Sequence, residues 1–382
     1  MFLVIPAKDD LTVTVVLPTG VRDGDAATAA ALAALSRSVL RAPCGSGGTP
    51  LPELLAGHGA VADADVGYET LTFRCRMPAA TVAVCLPAFL EAVTGPVSGR
   101  PDEDATDAPC PAEARLRELL FGDHPLARPL YGPGGTSDLA RAHREVMASG
   151  TPVVVVAGPD GVVRDALALL RGRLPEPGAA PGGMKREAPS TEFSSVGGVN
   201  LRAAAGASRA RMVAGGIGVA RTEPASAAAR VLVELFGPGS ASVLRRTLRT
   251  DIGIDCDLEA VYEGYQDCGL WWLRLGLDTL WVATVESLVR ELLEVTAAGR
   301  LDESAVLSAR AAACERAAAE ASDPPLASYR AALAALDGAG RDEAVRDGAG
   351  RDEAVRRLER VTPHHVASAA SRVLRTYAVA VV

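Results

Sequence analysis

Apolar and hydroxyl residues alternate through the N-terminal segment MFLVIPAKDDLTVTVVLP, a period of two that predicts strand. Gly269–Asp278 (GLWWLRLGLD) alternates more cleanly. Its odd positions Trp271, Leu273, Leu275 and Leu277 make a core face, and Trp272, Arg274, Gly276 and Asp278 make the other. Ala26–Leu40 (AATAAALAALSRSVL) is helical in composition. A helix from about Thr136 leads into the valine strand Thr151–Ala157, and Val162–Arg173 follows as a second helix. The chain closes on the same order, with the helix Thr362–Leu374, Arg375 and the strand Thr376–Val382. Thr362 suits the N-cap, and Pro363 suits the first turn because the amide hydrogen it lacks would be unbonded there anyway. One grammar thus occurs twice.

Between the two occurrences, Leu174–Val196 (LPEPGAAPGGMKREAPSTEFSSV) is rich in Pro, Gly and Ser and has no periodicity. We therefore expect a first domain over residues 1–180, a linker over 181–196 and a second domain over 197–382. Thr94–Pro111 is acidic and irregular, and reads as a mobile loop. The decamer Asp337–Arg346 (DGAGRDEAVR) repeats at once as Asp347–Arg356. A single repeat of that length is too short for a solenoid and reads as a local duplication lengthening a surface connection.

Composition narrows the function. Hydrophobic residues make up 48% of the 382, while aromatics are only 4%, so small side chains must pack helices on sheets. Of 39 basic residues only Lys8 and Lys185 are lysines; the net charge is −8 and no basic run stands out. These features argue against nucleic acid and anionic membrane as partners and leave a basic or neutral peptide open. The seven cysteines include no C-x-x-C pair, which disfavours a disulfide framework and a structural zinc site. No charged leader, cleavage site or apolar run of ~18 residues is evident, so a soluble, reduced, cytoplasmic protein is expected. Gly215, Gly216 and Gly218 are too sparse for a dinucleotide fingerprint, and Cys44–Gly48 lacks nucleophile-elbow spacing.

Five stretches carry a family resemblance. Leu17–Arg22 (LPTGVR) with Asp23–Asp25 forms a strand end and turn before the helix Ala26–Leu40. Leu51–Phe73 (LPELLAGHGAVADADVGYETLTF) runs helix, glycine turn, strand, and Leu119–Gly132 (LLFGDHPLARPLYG) follows the pattern F-x-x-H-P-x-x-R-P-x-x-G. Ala225–Arg249 (ASAAARVLVELFGPGSASVLRRTLR) leads into Leu248–Cys256 (LRTDIGIDC). Together they resemble the insulinase-like, pitrilysin-type metallopeptidases (M16, subgroup M16B). The resemblance implies an α+β fold of two homologous LuxS/M16-like domains, each a mixed β-sheet with helices packed on one face.

In that family the helix after the turn carries His-x-x-Glu-His. Two histidines four apart share a zinc, and the glutamate beside the second serves the bound water as general base. Here the five positions read Ala33, Ala34, Leu35, Ser36, Arg37. Ala33 has no lone pair, Ser36 is too weak a base, and Arg37 brings a permanent positive charge. No catalytic residue and no metal is expected on this chain, which is no enzyme by itself; zinc is expected on a partner subunit. The family's third ligand, a glutamate, falls in the shortened stretch after Leu90, where Glu113 and Glu118 read as solvated charges. His124, before a proline in a loop, reads as structural.

The resemblance assigns substrate contact to the edge strand at Val61, Ala62 and Asp63, running on to Asp65. It also implies an arginine and a tyrosine lent to a partner's site. Arg249 matches the arginine, Cys256 stands in the tyrosine's place, and Tyr262 or Tyr265 on the next strand could substitute. Arg249 reads equally as an ion-pair partner of Asp251 or Asp255, and both tyrosines as ordinary strand aromatics. Trp272 and Arg274 could line an inner chamber or a partner interface. The expected role is a non-catalytic subunit of a heterodimeric M16B-type zinc peptidase, completing the chamber and binding peptide for a His-x-x-Glu-His-bearing homologue. Leader removal in the maturation of ribosomal peptides (RiPP biosynthesis) is the process this suggests. A non-proteolytic peptide-binding or scaffold protein of the same fold is the alternative, and a peptidase with relocated ligands a third. Homodimerisation of the chain alone stays open.

Overall fold

The valine–threonine run of the N-terminal segment lies at the centre of a sheet, where a strand buried on both faces can be apolar throughout. In the computed structural model the described residues are 1–8, 10–41, 43–44, 48–95, 97, 110–130, 139–171, 173, 186, 188–189, 199–201, 208–338 and 349–382. Most of the linker 181–196, of the loop 94–111 and of the first decamer, together with Tyr131 and Gly132, lies outside them. Contacts divide the chain into two units: Met1–Ala108 with Arg128–Lys185 and Glu320–Gly350, and Pro109–Ala127 with Arg186–Ala319 and Arg351–Val382.

In the first unit the strands are β1 (Phe2–Pro6), β2 (Leu11–Leu17), β3 (Pro43–Cys44), β4 (Thr49–Pro50), β5 (Val61–Val66), β6 (Leu71–Met77) and β7 (Val153–Gly158). Five of them form a sheet in the order β1-β7-β2-β6-β5, while β3 and β4 pair with each other. The β1–β7 pair is parallel and the other pairs of the sheet are antiparallel. All seven residues of β2 are buried. The helices Ala26–Val39 and Val82–Thr94 pack on β6, and Asp160–Arg171 packs on β7. Val16, Val153 and Val155 instead meet Ala332, Ala335 and Leu336 of the helix Pro324–Leu336, which the chain supplies from its second half.

The second unit contains β8 (Val199–Leu201), β9 (Arg209–Gly218), β10 (Asp257–Gly264), β11 (Gly269–Asp278) and β12 (Ala378–Val381), ordered β10-β11-β9-β12-β8. Only β12–β8 is parallel. Strand for strand this repeats the order and directions of the first sheet, which is the structural form of the duplicated grammar. Trp271, Leu273, Leu275 and Leu277 sit in the core, 0–1% exposed, and Phe236 meets the Trp271 ring edge-on at 5.3 Å. Helices Ser226–Phe236, Val282–Ala297, Glu303–Ser322 and Pro363–Arg375 supply much of the rest of that core. On the other face, the helix Pro111–Phe121 packs against β9 and β12. No helix among the described residues is long and apolar enough to cross a membrane.

Candidate functional site

The helix Ala26–Val39 begins at Asp25, whose carboxylate accepts from the Thr28 amide and hydroxyl, both at 2.8 Å. Those bonds hold its carboxyl below the usual range. Ala33, Ala34, Leu35 and Ser36 are 1%, 1%, 0% and 5% exposed, so four of the five positions that the resemblance aligns with the motif lie in the core. Ser36 Oγ donates to the Ala33 carbonyl at 3.0 Å. Arg37 is half-buried, and its Nε has no acceptor among the described residues. This set does not fit zinc: it offers one bonded hydroxyl and a cation. Among the described residues no three His, Cys, Asp or Glu side chains gather closely enough to hold a metal. His124 accepts from the Leu126 amide at Nδ1 (3.2 Å), which shapes the turn Pro125–Ala127.

Strand β5 ends its sheet, so one side of its backbone has no strand partner among the described residues. Val61 is 68% exposed, Asp63 and Asp65 are exposed, Ala62 and Ala64 half-buried, and Val66 buried. Asp63 is held by Arg74 across the ladder at 2.6 Å. Val61, Ala62 and Asp63 therefore stand where an added strand could pair.

In the second unit the helix Val243–Thr247 widens into a π turn, Leu248–Ile252. Gly253 closes that turn at φ +77°, a left-handed conformation that favours glycine, and the Ile254 amide returns to the Leu248 carbonyl at 2.8 Å. The tight exit brings Asp255 back to Arg249, whose Nε and Nη2 each donate to it at 3.1 Å. Both side chains are exposed. The Arg249 hydrogen bond and charge keep the Asp255 carboxyl below its usual value. Asp255 and Cys256 also line an open pocket of about 240 Å³ with Arg209, Asp278 and Trp281. Burial, then the charges of Asp255 and Asp257, push the Cys256 thiol up, so it stays protonated and unsuited to nucleophilic attack.

Tyr262 is already engaged. Its hydroxyl donates to the Val219 carbonyl at 3.0 Å, burial raises its pKa, and its ring packs on the helix-covered core. Tyr265 donates to Glu263 at 2.6 Å. These bonds commit both hydroxyls to partners other than the Arg249–Asp255 pair.

Helix Pro111–Phe121 packs on the face that carries Trp272 and Arg274, which the sequence leaves open between an inner chamber and a partner interface. Arg117 Nη2 donates to both Glu263 oxygens at 2.6 Å, and Trp272 Nε1 donates to Glu263 at 2.7 Å. Arg274 binds Glu113 at 2.7 Å and also Glu259, so Glu113 is a bridging group and not a solvated charge. Burial pushes the Glu263 carboxyl up, but the Arg117 charge and the donors Tyr265 and Trp272 outweigh it and the net shift is downward. Arg117 and Glu263 carry no local signal: a charge on a half-apolar helix demands a partner without naming it.

No protein-family model and no curated protein matches the sequence. Solved structures do. An inactive domain of peptidase M16 from Pseudomonas fluorescens superposes with a TM-score of 0.78 at 16% identity, covering 100% of this chain and 94% of that one. A protease from Helicobacter pylori gives 0.78 at 12%, covering 100% and 96%. A chain of complex III2 from Candida albicans gives 0.75 at 13%, covering 100% and 92%. At such identities the likeness establishes architecture, and the chain has the two-domain α+β fold of an M16 inactive domain from end to end.

Proposed function

We propose that this chain is the non-catalytic subunit of a heterodimeric M16B-type zinc peptidase, binding peptide and completing the chamber for a homologue that bears His-x-x-Glu-His. The observation that supports it most is an M16-like fold over the whole chain, in which Ala33 and Ser36, aligned by the resemblance with the zinc motif, are buried in the core. An edge strand with one open side supports peptide capture at Val61–Asp63. The exposed guanidinium of Arg249, held in a fork by Asp255, is the group this chain would offer a substrate carbonyl. Tyr262, bonded to Val219, is left out of that role. The substrate class is a peptide undergoing maturation, such as leader removal, in the cytoplasm.

The test mixes the purified chain with its His-x-x-Glu-His homologue and a peptide. The pair should cleave, this chain alone should not, and Arg249→Ala should slow the pair without moving the unfolding midpoint of this chain. A homologue that cleaves equally fast alone refutes the assisting role. The likeness to a chain of complex III2 favours the second reading, a non-proteolytic peptide-binding or scaffold protein. Under it the two chains associate with no gain in cleavage.

A further inference from the structure

Parts of three stretches that carry the resemblance, LPTGVR, VGYET and Arg128 with Pro129, converge in the first unit on the turn between β5 and β6. Gly20 approaches it so closely that an added Cβ would lie 2.3 Å from the Glu69 nitrogen and the Tyr68 carbonyl carbon. The Val21 amide donates to Gly67 O at 3.0 Å and the Arg22 amide to Tyr68 O at 3.1 Å. The Arg22 guanidinium meets Glu69 Oε1 at 2.9 Å, in an ion pair whose side chains are 3% and 5% exposed. Arg128 locks the other side. Its guanidinium donates to Val21 O at 3.3 Å and to Gly24 O, and its carbonyl accepts from the Tyr68 hydroxyl at 2.8 Å. Thr70 adds a hydroxyl contact with Tyr329 at 3.1 Å.

We infer that Arg22, Tyr68, Glu69 and Arg128 are positioning residues, forming a clasp that fixes the edge strand β5 and preorganises it to receive a peptide strand. An edge strand is bonded along one side only, so whatever holds its turn sets its place and twist. A receiving edge that is already ordered loses less freedom when the added strand binds. The clasp also gives a buried ion pair a role beside a helix that has no metal donors. Its peptide half rests on the reading of β5 as the receiving edge.

Hydrogen–deuterium exchange of the full chain reads the positioning directly. Tyr68→Phe removes one hydrogen bond, and Arg128→Met removes the Nη1 donor that the Val21 and Gly24 carbonyls share. Each should speed exchange of the β5 amides by about five- to tenfold and leave β7 unchanged. Anisotropy of a fluorescein-labelled alternating Val–Lys peptide should show affinity for the protein falling by a similar factor. Glu69→Gln, which keeps the shape and removes one charge of the buried pair, supplies the same readout where another single variant does not fold. Wild-type exchange in β5, or equal acceleration in β7, overturns the inference. If β5 loosens and the wild-type protein nevertheless ignores the peptide, the clasp stands and the receiving-edge reading falls.

Discussion

Writing the zinc motif back onto the helix Ala26–Val39, as Ala33→His, Ser36→Glu and Arg37→His, asks whether donors alone are missing or whether the space is gone. Ala33 is 1% exposed and Ser36 5%, with Ala34 and Leu35 sealed beside them. An imidazole forced onto Ala33 overpacks the core, at about 1–3 kcal/mol. A carboxylate at Ser36 gives up the bond to the Ala33 carbonyl and adds roughly 2–3 kcal/mol, even allowing for protonation. Arg37→His is milder, since it removes a guanidinium nitrogen that has no acceptor among the described residues. The variant should lose about 3–6 kcal/mol, a large part of the ~5–15 kcal/mol typical of a domain. At about 2–4 °C per kcal/mol, thermal unfolding by circular dichroism should come at least ~6 °C earlier. Two imidazoles without a third ligand make a poor site, so elemental analysis after dialysis should find well under one zinc per chain. Wild-type stability in the variant, or one tightly held zinc that raises its midpoint, would refute the reasoning.

The polar seal of the second unit makes its own demands. Arg117→Ala leaves Glu263 with Tyr265 and Trp272 as its donors among the described residues and should cost about 3 kcal/mol in urea unfolding, whereas Arg117→Met with Glu263→Gln should recover most of it. Because the folded Glu263 carboxyl lies below its ordinary 4.5, its contribution is whole above that pH and is lost as the pH falls through the lowered value. Trp272, bonded to that carboxylate, should report the change, its emission holding steady from about pH 6 to about pH 5 and shifting only on further acidification. Arg249→Ala, by contrast, should touch only the cleavage rate of the pair, because both members of its ion pair are solvent-exposed.

Much of this protein is local and could be read along the chain. The alternation of GLWWLRLGLD places Trp271, Leu273, Leu275 and Leu277 in the core, as found. The Thr362–Pro363 start is a working cap, with the His365 amide donating to Thr362 Oγ at 3.4 Å. Helix ends shifted by a residue or two, as with Asp160–Arg171 against the expected Val162–Arg173, because fraying turns leave a weak signal. The lack of zinc donors at Ala33, Ser36 and Arg37 was also legible, since folding cannot supply a lone pair that a side chain does not have. Which charge meets which was not. Arg117 and Glu263 are separated by 146 residues and Arg274 and Glu113 by 161, and many other acids and bases in the chain would have served as well on paper. Only the order of the strands, and the helices each unit takes from the other half of the chain, brought these partners within hydrogen-bond reach. Period and capping are properties of neighbouring residues, whereas an ion pair is chosen by distance in the folded chain, and that distance exists only once the sheets have formed.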